Sequence, residues 1–289
     1  MKILVTGRHG QLAQSLAERG IDGVTLLGRP ELDLAISGSA SAAIHAARPD
    51  LIVNAAAFTA VDLAKSDETQ ATRINTDAAG ELATAARELG VPIIHISTDY
   101  VFDGVATAPR SETSPTAPIN AYGRSKLAGE IAVRAATDDH LILRTSWLVS
   151  PFGRNFVRTM VELGQQRDTL SVVDDQYGNP TSALDLAEAI LAIAARVQDG
   201  DRTGLGQIYH VAGSGIASWF DVAVAVQDEL GRLGRKSATV TPVSTADWPT
   251  PARRPAFSAL DCTKFARDFG IAMPDWRASL APIVARLVA

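Results

Sequence analysis

The chain has 289 residues, of which 46% are apolar, so it can bury a sizeable core in one large domain or two smaller ones. Its net charge of -5, with 27 Lys and Arg against 32 Asp and Glu, provides no field that would attract nucleic acid or an anionic membrane. Cys262 is the single cysteine, which excludes an intrachain disulfide, and the absence of a long apolar run or a signal sequence predicts a cytoplasmic protein.

In the first half of the chain, short β-branched runs alternate with longer alanine-rich stretches. The predicted strands are residues 2–6, 24–27, 51–54, 92–97 and 141–145. The predicted helices are residues 11–19, 39–47, 69–89 and 121–136. This alternation predicts an α/β fold with a Rossmann-type doubly wound parallel sheet.

After residue 147 the alternation is less regular. The predicted elements are helix 155–165, strand 170–173, helix 183–196, strand 207–212, helix 219–230 and helix 275–287. Prolines interrupt the pattern between residues 241 and 256, which we interpret as an ordered loop. We therefore expect a dinucleotide-binding domain of residues 1–148 and 181–213. Residues 149–180 and 214–289 are expected to form a smaller C-terminal substrate-binding lobe.

A glycine turn follows the first predicted strand and opens the first predicted helix. Gly7 and Gly10 lie in this turn, where backbone N–H groups and the helix N-terminus can bind a pyrophosphate. Arg29 follows the second strand, where a site for NAD normally carries an acidic residue. A guanidinium there suits a 2′-phosphate, so we expect NADPH. A simple strand-to-helix turn and a solvated arginine are the alternatives.

Tyr122 and Lys126 share one face of a predicted helix because they are four residues apart. A Lys ammonium beside the phenol can move the pKa of the Tyr from about 10 toward 7, which requires roughly 4 kcal/mol. Thr98 ends a strand at the sheet edge where α/β sheets bind ligands, and its hydroxyl can donate to the carbonyl oxygen that Tyr122 protonates. An ordinary amphipathic helix and a strand-end Thr are the alternatives.

Other polar and aromatic residues give weaker signals. The five histidines show no metal-ligand spacing, so we expect no metal site. Arg253 and Arg254 can hold a diphosphate, and an exposed basic pair is the alternative. Trp147 and Tyr177 can contact a sugar or a base, although aromatic residues beside a strand are more often part of a core.

Seven segments, in chain order and over nearly the whole length, resemble the extended short-chain dehydrogenase/reductase family. They are Gly7-x-x-Gly10-Gln-Leu, Val53-Asn-Ala-Ala-Ala-Phe-Thr-Ala-Val-Asp62, Ser97-Thr-Asp-Tyr-Val-Phe-Asp-Gly104, Tyr122-Gly-x-x-Lys126, Arg144-Thr-Ser-Trp147, Asp175-Gln-Tyr-Gly-x-Pro-Thr181 and Arg254-Pro255. The resemblance implies that NADPH reduces the C4 ketone of dTDP-4-dehydro-L-rhamnose while Tyr122 supplies the proton. Lys126 would bind the nicotinamide ribose and tune Tyr122, and Thr98 would polarise the carbonyl.

The same resemblance implies two sets of binding residues. Those expected to contact the cofactor are Gly10, Gln11, Leu12, Asp33, Leu34, Ala57, Phe58, Thr59, Tyr122 and Lys126. Those expected to contact the dTDP-sugar are Thr98, Asp99 and Trp147. The resemblance leaves open whether NADH is also used, whether magnesium is needed, and whether the protein is a monomer or a homodimer.

Three alternatives remain at this stage. The substrate can be a related dTDP-4-keto-6-deoxyhexose. A dehydratase or epimerase on the same fold is disfavoured, because dehydratases place an acid after the Thr-Asp pair where this chain has Tyr100. A non-catalytic regulatory subunit of a methionine adenosyltransferase is disfavoured by the intact Thr98, Tyr122 and Lys126.

Overall fold

The computed structural model describes residues 1–20 and 23–289. The strands of the central sheet are β1 (Ile3–Thr6), β2 (Val24–Leu27), β3 (Leu51–Asn54), β4 (Ile93–Thr98), β5 (His140–Thr145) and β10 (Gln207–His210). The remaining strands are β6 (Leu148–Val149), β7 (Thr169–Val173), β8 (Tyr177–Gly178), β9 (Thr181–Ser182), β11 (Ala217–Ser218) and β12 (Thr239–Val243).

The helices of the first half are α1 (Gln11–Arg19), α2 (Ser39–Ala47), α3 (Val61–Ser66), α4 (Glu68–Thr72), α5 (Ala78–Leu89) and α6 (Ala121–Ala136). Those of the second half are α7 (Phe156–Gln166), α8 (Ala183–Gln198), α9 (Trp219–Arg232), α10 (Thr263–Phe269) and α11 (Trp276–Val288). Among the described residues, none of these helices is both long enough and apolar enough to cross a membrane.

The central sheet is parallel throughout and has the order β10-β5-β4-β3-β1-β2. Every residue of β1, β3, β4 and β5 is buried, because helices cover both faces of the sheet. The chain leaves β1 for β2 on one side and then returns to β3 on the other, so a crevice opens beyond the carboxyl ends of β1 and β3. The predicted doubly wound Rossmann-type sheet is confirmed, and residues 207–210 return to it as expected.

A second hydrophobic core lies among α7, α9, α11 and the β7–β12 pair. Within it, Trp276 and Ile283 of α11 are buried with Val157 of α7. Residues 263–273 do not join this core, since Phe265 and Phe269 of α10 pack with Tyr209 beneath the main sheet. The exact division of the chain into two lobes stays a prediction.

Two predicted elements differ from the structure. The expected helix 69–89 is interrupted by a π-helical turn at Arg73–Asp77, where the side chain of Asn75 binds the backbone of Phe58. Part of the expected loop 241–256 belongs to β12, which pairs in parallel with β7 and contains Pro242. Proline is tolerated there because β12 lies at the edge of its two-stranded sheet.

Candidate active site

A cavity of about 900 Å³ lies at the carboxyl ends of β1 and β3. It collects the residues expected to bind a dinucleotide, apart from Tyr122 and Lys126: Gly7, Gly10, Gln11, Leu12, Arg29, Asp33, Leu34, Ala57, Phe58 and Thr59. These residues come from the ends of different strands, and the sheet brings them to one edge. We refer to this space as the cofactor cavity.

The glycine turn closes one side of the cofactor cavity. Gly7 has a φ of +89°, and a Cβ there would lie 3.1 Å from the Cα of Ala56. Gly10 precedes α1 without any side-chain cap, so the first backbone N–H groups of this nine-residue helix remain available to a ligand. A tight backbone cradle at a helix N-terminus fits the pyrophosphate of a dinucleotide.

Basic residues lie at the mouth of the same cavity. Arg29 and Arg8 both line it, and Arg8 also pairs with Glu31 at 2.9 Å. Gly28 permits this arrangement, because a Cβ at that position would lie 2.9 Å from the Cβ of Arg8. Two guanidinium groups that line one cavity suit a phosphate group.

Helix α6 begins beside the cavity with a side-chain cap. Asn120 Oδ1 accepts from the backbone N–H of Gly123 at 2.8 Å, and Asn120 Nδ2 donates to the carbonyl of Arg253 at 2.9 Å. A Cβ on Gly123 would lie 2.2 Å from the carbonyl oxygen of Tyr100, so only glycine lets the helix approach this closely. The first turn of α6 is therefore fixed against the turn Asp99–Val101, which follows β4, and against segment 249–256.

Tyr122, Thr98 and Asp99 form one polar group at the end of β4. Thr98 Oγ1 accepts from the backbone N–H of Tyr100 at 3.2 Å and donates to Asp99 Oδ1 at 2.9 Å. Ser146 Oγ donates to the other Asp99 oxygen at 3.1 Å. The Thr98 proton is thus directed to Asp99, and a substrate carbonyl can receive it only when that bond opens.

Burial controls the proton affinities of this group. Loss of solvent raises the pKa of Asp99 to about 6, although hydrogen bonds from Ser258, Thr98 and Ser146 oppose the rise. Loss of solvent also raises the pKa of Tyr122 to about 12; a hydrogen bond with Thr98 lowers it, and the charge of Asp99 raises it further. Tyr122 is therefore protonated at neutral pH, as a proton donor must be.

Lys126 lies elsewhere than expected. Its ammonium donates to the carbonyl of Ile96 at 2.7 Å and lies 3.5 Å from His95 Nε2. Burial lowers the pKa of Lys126 to about 8, with Glu130 opposing the shift. The expectation that Lys126 brings the pKa of Tyr122 toward 7 is not met in this arrangement, because the carbonyl of Ile96 takes the ammonium.

A second cavity, of about 840 Å³, lies on the other side of the first turn of α6. We call it the cleft cavity. Four basic residues line it, namely Lys65, Arg124, Arg253 and Arg254. Two of them are paired, since Arg254 binds Asp62 at 2.9 Å and Arg124 binds Glu68 at 2.9 Å. Arg253 is exposed at the rim.

Tyr122 lies between lining residues of the two cavities, although it lines neither of them in this structure. It packs in a small cluster with Phe58, which lines the cofactor cavity, and with Ala121, which lines the cleft cavity. Thr98, Asp99 and Trp147 line neither cavity in this structure. Trp147 has a φ of 45° and stacks on Trp219 with ring centroids 3.6 Å apart.

Three polar residues of the site were not identified from the sequence. Asn75 holds the backbone of Phe58, Asn120 caps α6, and His95 lies against Lys126. Asn120 had a local signal, because an Asn before a helical segment is a common cap. In the part of the chain that the structure describes, no group of three or more His, Cys, Asp or Glu side chains could hold a metal ion.

The parallel sheet, the glycine turn and the Tyr-Gly-x-x-Lys helix together define a Rossmann-type protein of the extended short-chain dehydrogenase/reductase class. The family described as the RmlD substrate binding domain matches residues 1–289. The chain belongs to that family, and the resemblance inferred from its motifs is confirmed.

Individual relatives agree with this family. A dTDP-4-dehydrorhamnose reductase of Sinorhizobium fredii is 46% identical over 98% of this chain and 97% of its own length. The crystal structure of a dTDP-4-dehydrorhamnose reductase from Clostridium acetobutylicum has a TM-score of 0.91 and 37% identity, with full coverage of both chains. A Bacillus anthracis dTDP-4-dehydrorhamnose reductase in complex with NADP has a TM-score of 0.88 and 34% identity, covering 99% of each chain.

Proposed function

We propose that this protein is an NADPH-dependent oxidoreductase that reduces the C4 ketone of dTDP-4-dehydro-L-rhamnose to dTDP-L-rhamnose. The observation that carries the proposal is the position of Tyr122 between two cavities of about 900 and 840 Å³. A half-buried, protonated phenol between a dinucleotide-sized cavity and a basic cleft suits a reduction that adds a hydride and a proton to a carbonyl group. The names of the relatives supply the substrate, and the NADP complex of one of them supports the cofactor.

In this proposal NADPH binds in the cofactor cavity, where it supplies the hydride. The turn of Gly7 and Gly10 and the N-terminus of α1 hold its pyrophosphate. Arg29, with Arg8 beside it, binds the 2′-phosphate, whose two negative charges suit a pair of guanidinium groups. Ala57, Phe58 and Thr59 border the nicotinamide half of the cavity.

The sugar nucleotide binds in the cleft cavity with its ketone against Tyr122. Tyr122 gives its proton to the carbonyl oxygen as hydride reaches C4, so one C–H bond and one O–H bond form while the carbonyl becomes an alcohol. The Thr98 hydroxyl lies beside the phenol, and on turning away from Asp99 it can donate to the same carbonyl oxygen. Lys126, a buried cation four residues further along the same helix, would bind the nicotinamide ribose.

The basic rim of the cleft cavity supplies the diphosphate contact. Arg253 and Arg254 lie in the segment that Asn120 ties to the start of α6, so this contact also fixes the distance from the diphosphate to Tyr122. Asp62 holds the Arg254 guanidinium in place. The exposed Arg253 is the cation best placed to move onto a phosphate.

The proposal is tested by following NADPH oxidation with a panel of 4-keto nucleotide sugars. We expect the highest kcat/KM with dTDP-4-dehydro-L-rhamnose and lower values with other dTDP-4-keto-6-deoxyhexoses. The product should contain all the oxygen atoms of the substrate, since reduction eliminates no water. Absence of NADPH oxidation with every member of the panel would contradict the proposal, and loss of water would indicate a dehydratase instead.

A matched pair of arginine variants separates the diphosphate contact from general charge effects. Arg253→Ala should raise the KM for the sugar nucleotide about tenfold, because a charge-assisted contact to phosphate is worth roughly 1.5–3 kcal/mol. Its Kd for NADPH should stay unchanged. Arg134→Ala, an exposed arginine at the far end of α6, should change neither constant.

A further inference from the structure

Trp147 has a backbone conformation that needs support from its surroundings. Its φ of 45° lies in the left-handed region, which residues other than glycine rarely adopt. The indole of Trp147 stacks on that of Trp219, with ring centroids 3.6 Å apart and an angle of 4° between the planes. It also lies against Gly178, where a Cβ would be 2.6 Å from Cε2 of Trp147. We call the space between Trp219 and Gly178 the indole slot.

The indole slot is built by elements from the second half of the chain. Trp219 is the first residue of α9, and a capping box between Ser218 and Asp221 fixes that end of the helix. Strand β11, which leads into α9, pairs with β8 so that Ala217 lies opposite Gly178. Both sides of the indole slot therefore belong to one hydrogen-bonded unit.

The second hydrophobic core supports Trp219 from another direction. Phe156, the first residue of α7, packs against Trp219 with ring centroids 4.6 Å apart and planes tilted by 52°. Both aromatic rings pack against the buried residues of α7, α9 and α11. A displacement of Trp219 would disturb this core, so Trp219 can hold a strained neighbour in place.

The backbone of Trp147 connects two groups of the proposed active site. Before it, Ser146 Oγ donates to Asp99 Oδ2 at 3.1 Å. After it, the carbonyl of Leu148 accepts from Gln11 Nε2 at 3.3 Å, and Leu148 lines the cofactor cavity. A rotation about φ of Trp147 would move one of these groups relative to the other. The indole slot therefore also fixes Asp99 relative to the cofactor cavity.

We propose that Trp219 is a positioning residue for the reaction. Its flat indole face holds Trp147 at a positive φ, and residues 146–148 in turn hold Asp99 and the cofactor cavity in the arrangement that hydride and proton transfer need. Trp219 lines neither cavity, so it acts through Trp147. The effect on turnover rests on the proposed function, whereas the effect on the backbone of Trp147 does not.

Hydrogen exchange tests the effect on the backbone. The amide of Thr181 donates to the carbonyl of Trp147 at 3.1 Å, so it reports directly on the φ of Trp147. Trp219→Leu keeps an apolar side chain but loses the flat face, and exchange of the Thr181 amide, measured by NMR, should become about tenfold faster. Trp219→Phe keeps a flat ring and should stay within about threefold of wild type.

A second amide and a second tryptophan serve as controls. The amide of Ser214 donates to the carbonyl of Pro274 at 2.8 Å and reports on general loosening of the same region. Its exchange in Trp219→Leu should change less than about twofold. Trp248→Leu removes a tryptophan that is 56% exposed, and it should change neither amide. Equal acceleration of both amides in Trp219→Leu, or no acceleration of Thr181, would overturn the proposal.

Turnover with dTDP-4-dehydro-L-rhamnose and NADPH tests the effect on the reaction. Trp219→Leu should lower kcat about tenfold, since a small misplacement of reacting groups can cost up to about 10²-fold. Glycine adopts a positive φ without a supporting partner. In a Trp147→Gly background, Trp219→Leu should therefore lower kcat by less than about twofold. An equal loss of kcat in both backgrounds would reject a role that acts through Trp147.

The two kinds of experiment separate this inference from the proposed function. Faster exchange of the Thr181 amide in Trp219→Leu, together with normal turnover, would reject the role of Trp219 in the reaction while leaving the proposed function intact. Absence of NADPH oxidation in wild type would instead reject the proposed function, and the exchange data would still decide whether Trp219 holds the backbone of Trp147.

Discussion

The cofactor cavity and the cleft cavity lie on either side of Tyr122, but they are built from different parts of the chain. The cofactor cavity is formed largely by strand ends and loops in residues 7–12, 28–35 and 55–60. The cleft cavity combines residues 65–68, 103–105 and 119–124 with residues 175–176 and 245–256. The first therefore depends mainly on backbone geometry near the start of the chain, and the second on side chains from distant segments.

This difference bears on how each cavity can change. A turn such as that at Gly7 allows few substitutions, because its φ is positive and Ala56 lies against it. The rim of the cleft cavity is held by side chains such as Arg254 and Asp62, with Asp62 also accepting from the backbone N–H of Ala252 at 2.9 Å. Cofactor binding should therefore vary little within this architecture, whereas substrate choice can vary through side chains.

Tyr122→Phe gives the largest expected effect. It tests whether the proton-transfer step can be lost while ligand binding in both cavities is kept. The value of kcat should fall about 10³-fold, since general acid catalysis contributes 10²–10⁴-fold. NADPH affinity and sugar-nucleotide KM should stay within about twofold, because the lost hydroxyl acts mainly in the transition state. The control is Tyr209→Phe on β10, whose hydroxyl donates to Asp268. Turnover near that of wild type would show that another group supplies the proton.

Asp99→Asn tests whether burial raises the proton affinity of Asp99 in the folded protein. Burial raises the pKa of Asp99 to about 6, so the folded state holds this proton more tightly than the unfolded chain does. The stabilising contribution of the protonated form is complete below about pH 4 and is lost as the pH rises through 6. The stability of Asp99→Asn relative to wild type should thus increase by about 2–3 kcal/mol between pH 4 and pH 7.

Urea unfolding of both proteins at pH 4 and pH 7 measures this change as a difference of differences. Other titrating groups cancel in the comparison, provided that both proteins unfold in two states. A constant difference between the two pH values would mean that Asp99 titrates near its ordinary value.

The sequence predicted the backbone-built cavity better than the cleft. Gly7, Gly10 and Arg29 could be identified because they follow predicted strands in a fixed order. Asn120 also binds the carbonyl of Arg253, and this contact could not be predicted because the two residues are 133 positions apart in the chain. His95 was missed for the same reason, since its contact with Asn54 spans 41 positions and no local pattern encodes it.

The hydrogen bond of Lys126 shows a second limit of prediction from a sequence motif. Spacing placed Lys126 on the same helix face as Tyr122, but it could not show that the Ile96 carbonyl would compete for the ammonium. That competitor is a backbone atom, which has no residue-type signature. The relation between two side chains on a helix therefore depends on the strand beneath them.

Gly7→Ala tests whether the cofactor cavity depends on its backbone turn. Alanine at this position would need a positive φ, and its Cβ would lie 3.1–3.3 Å from Ala56. The turn should therefore shift. We expect NADPH to bind about tenfold more weakly, from a strain of roughly 1–2 kcal/mol. Gly90→Ala is a matched control, because Gly90 has a φ of +68° and nothing within 4 Å of a Cβ.

Both glycine variants should lose stability in thermal unfolding, since both place alanine at a positive φ, and Gly7→Ala should lose more because its Cβ also meets Ala56. Only Gly7→Ala should lose affinity when NADPH is titrated and nicotinamide fluorescence is followed. Equal NADPH affinity in the two variants would contradict the dependence of this cavity on its turn.

Arg29→Ala gives the smallest expected effect and shows how far side chains contribute to the cofactor cavity. Removing one guanidinium from a partly solvated phosphate contact should weaken NADPH binding about five- to tenfold, or roughly 1–1.4 kcal/mol. NADH affinity should stay the same, because NADH lacks the 2′-phosphate. Arg8 lines the same cavity but is paired with Glu31, so it replaces Arg29 only in part. An equal loss of affinity for both cofactors would place Arg29 at the pyrophosphate or the base, and the cofactor cavity would then select NADPH by its backbone alone.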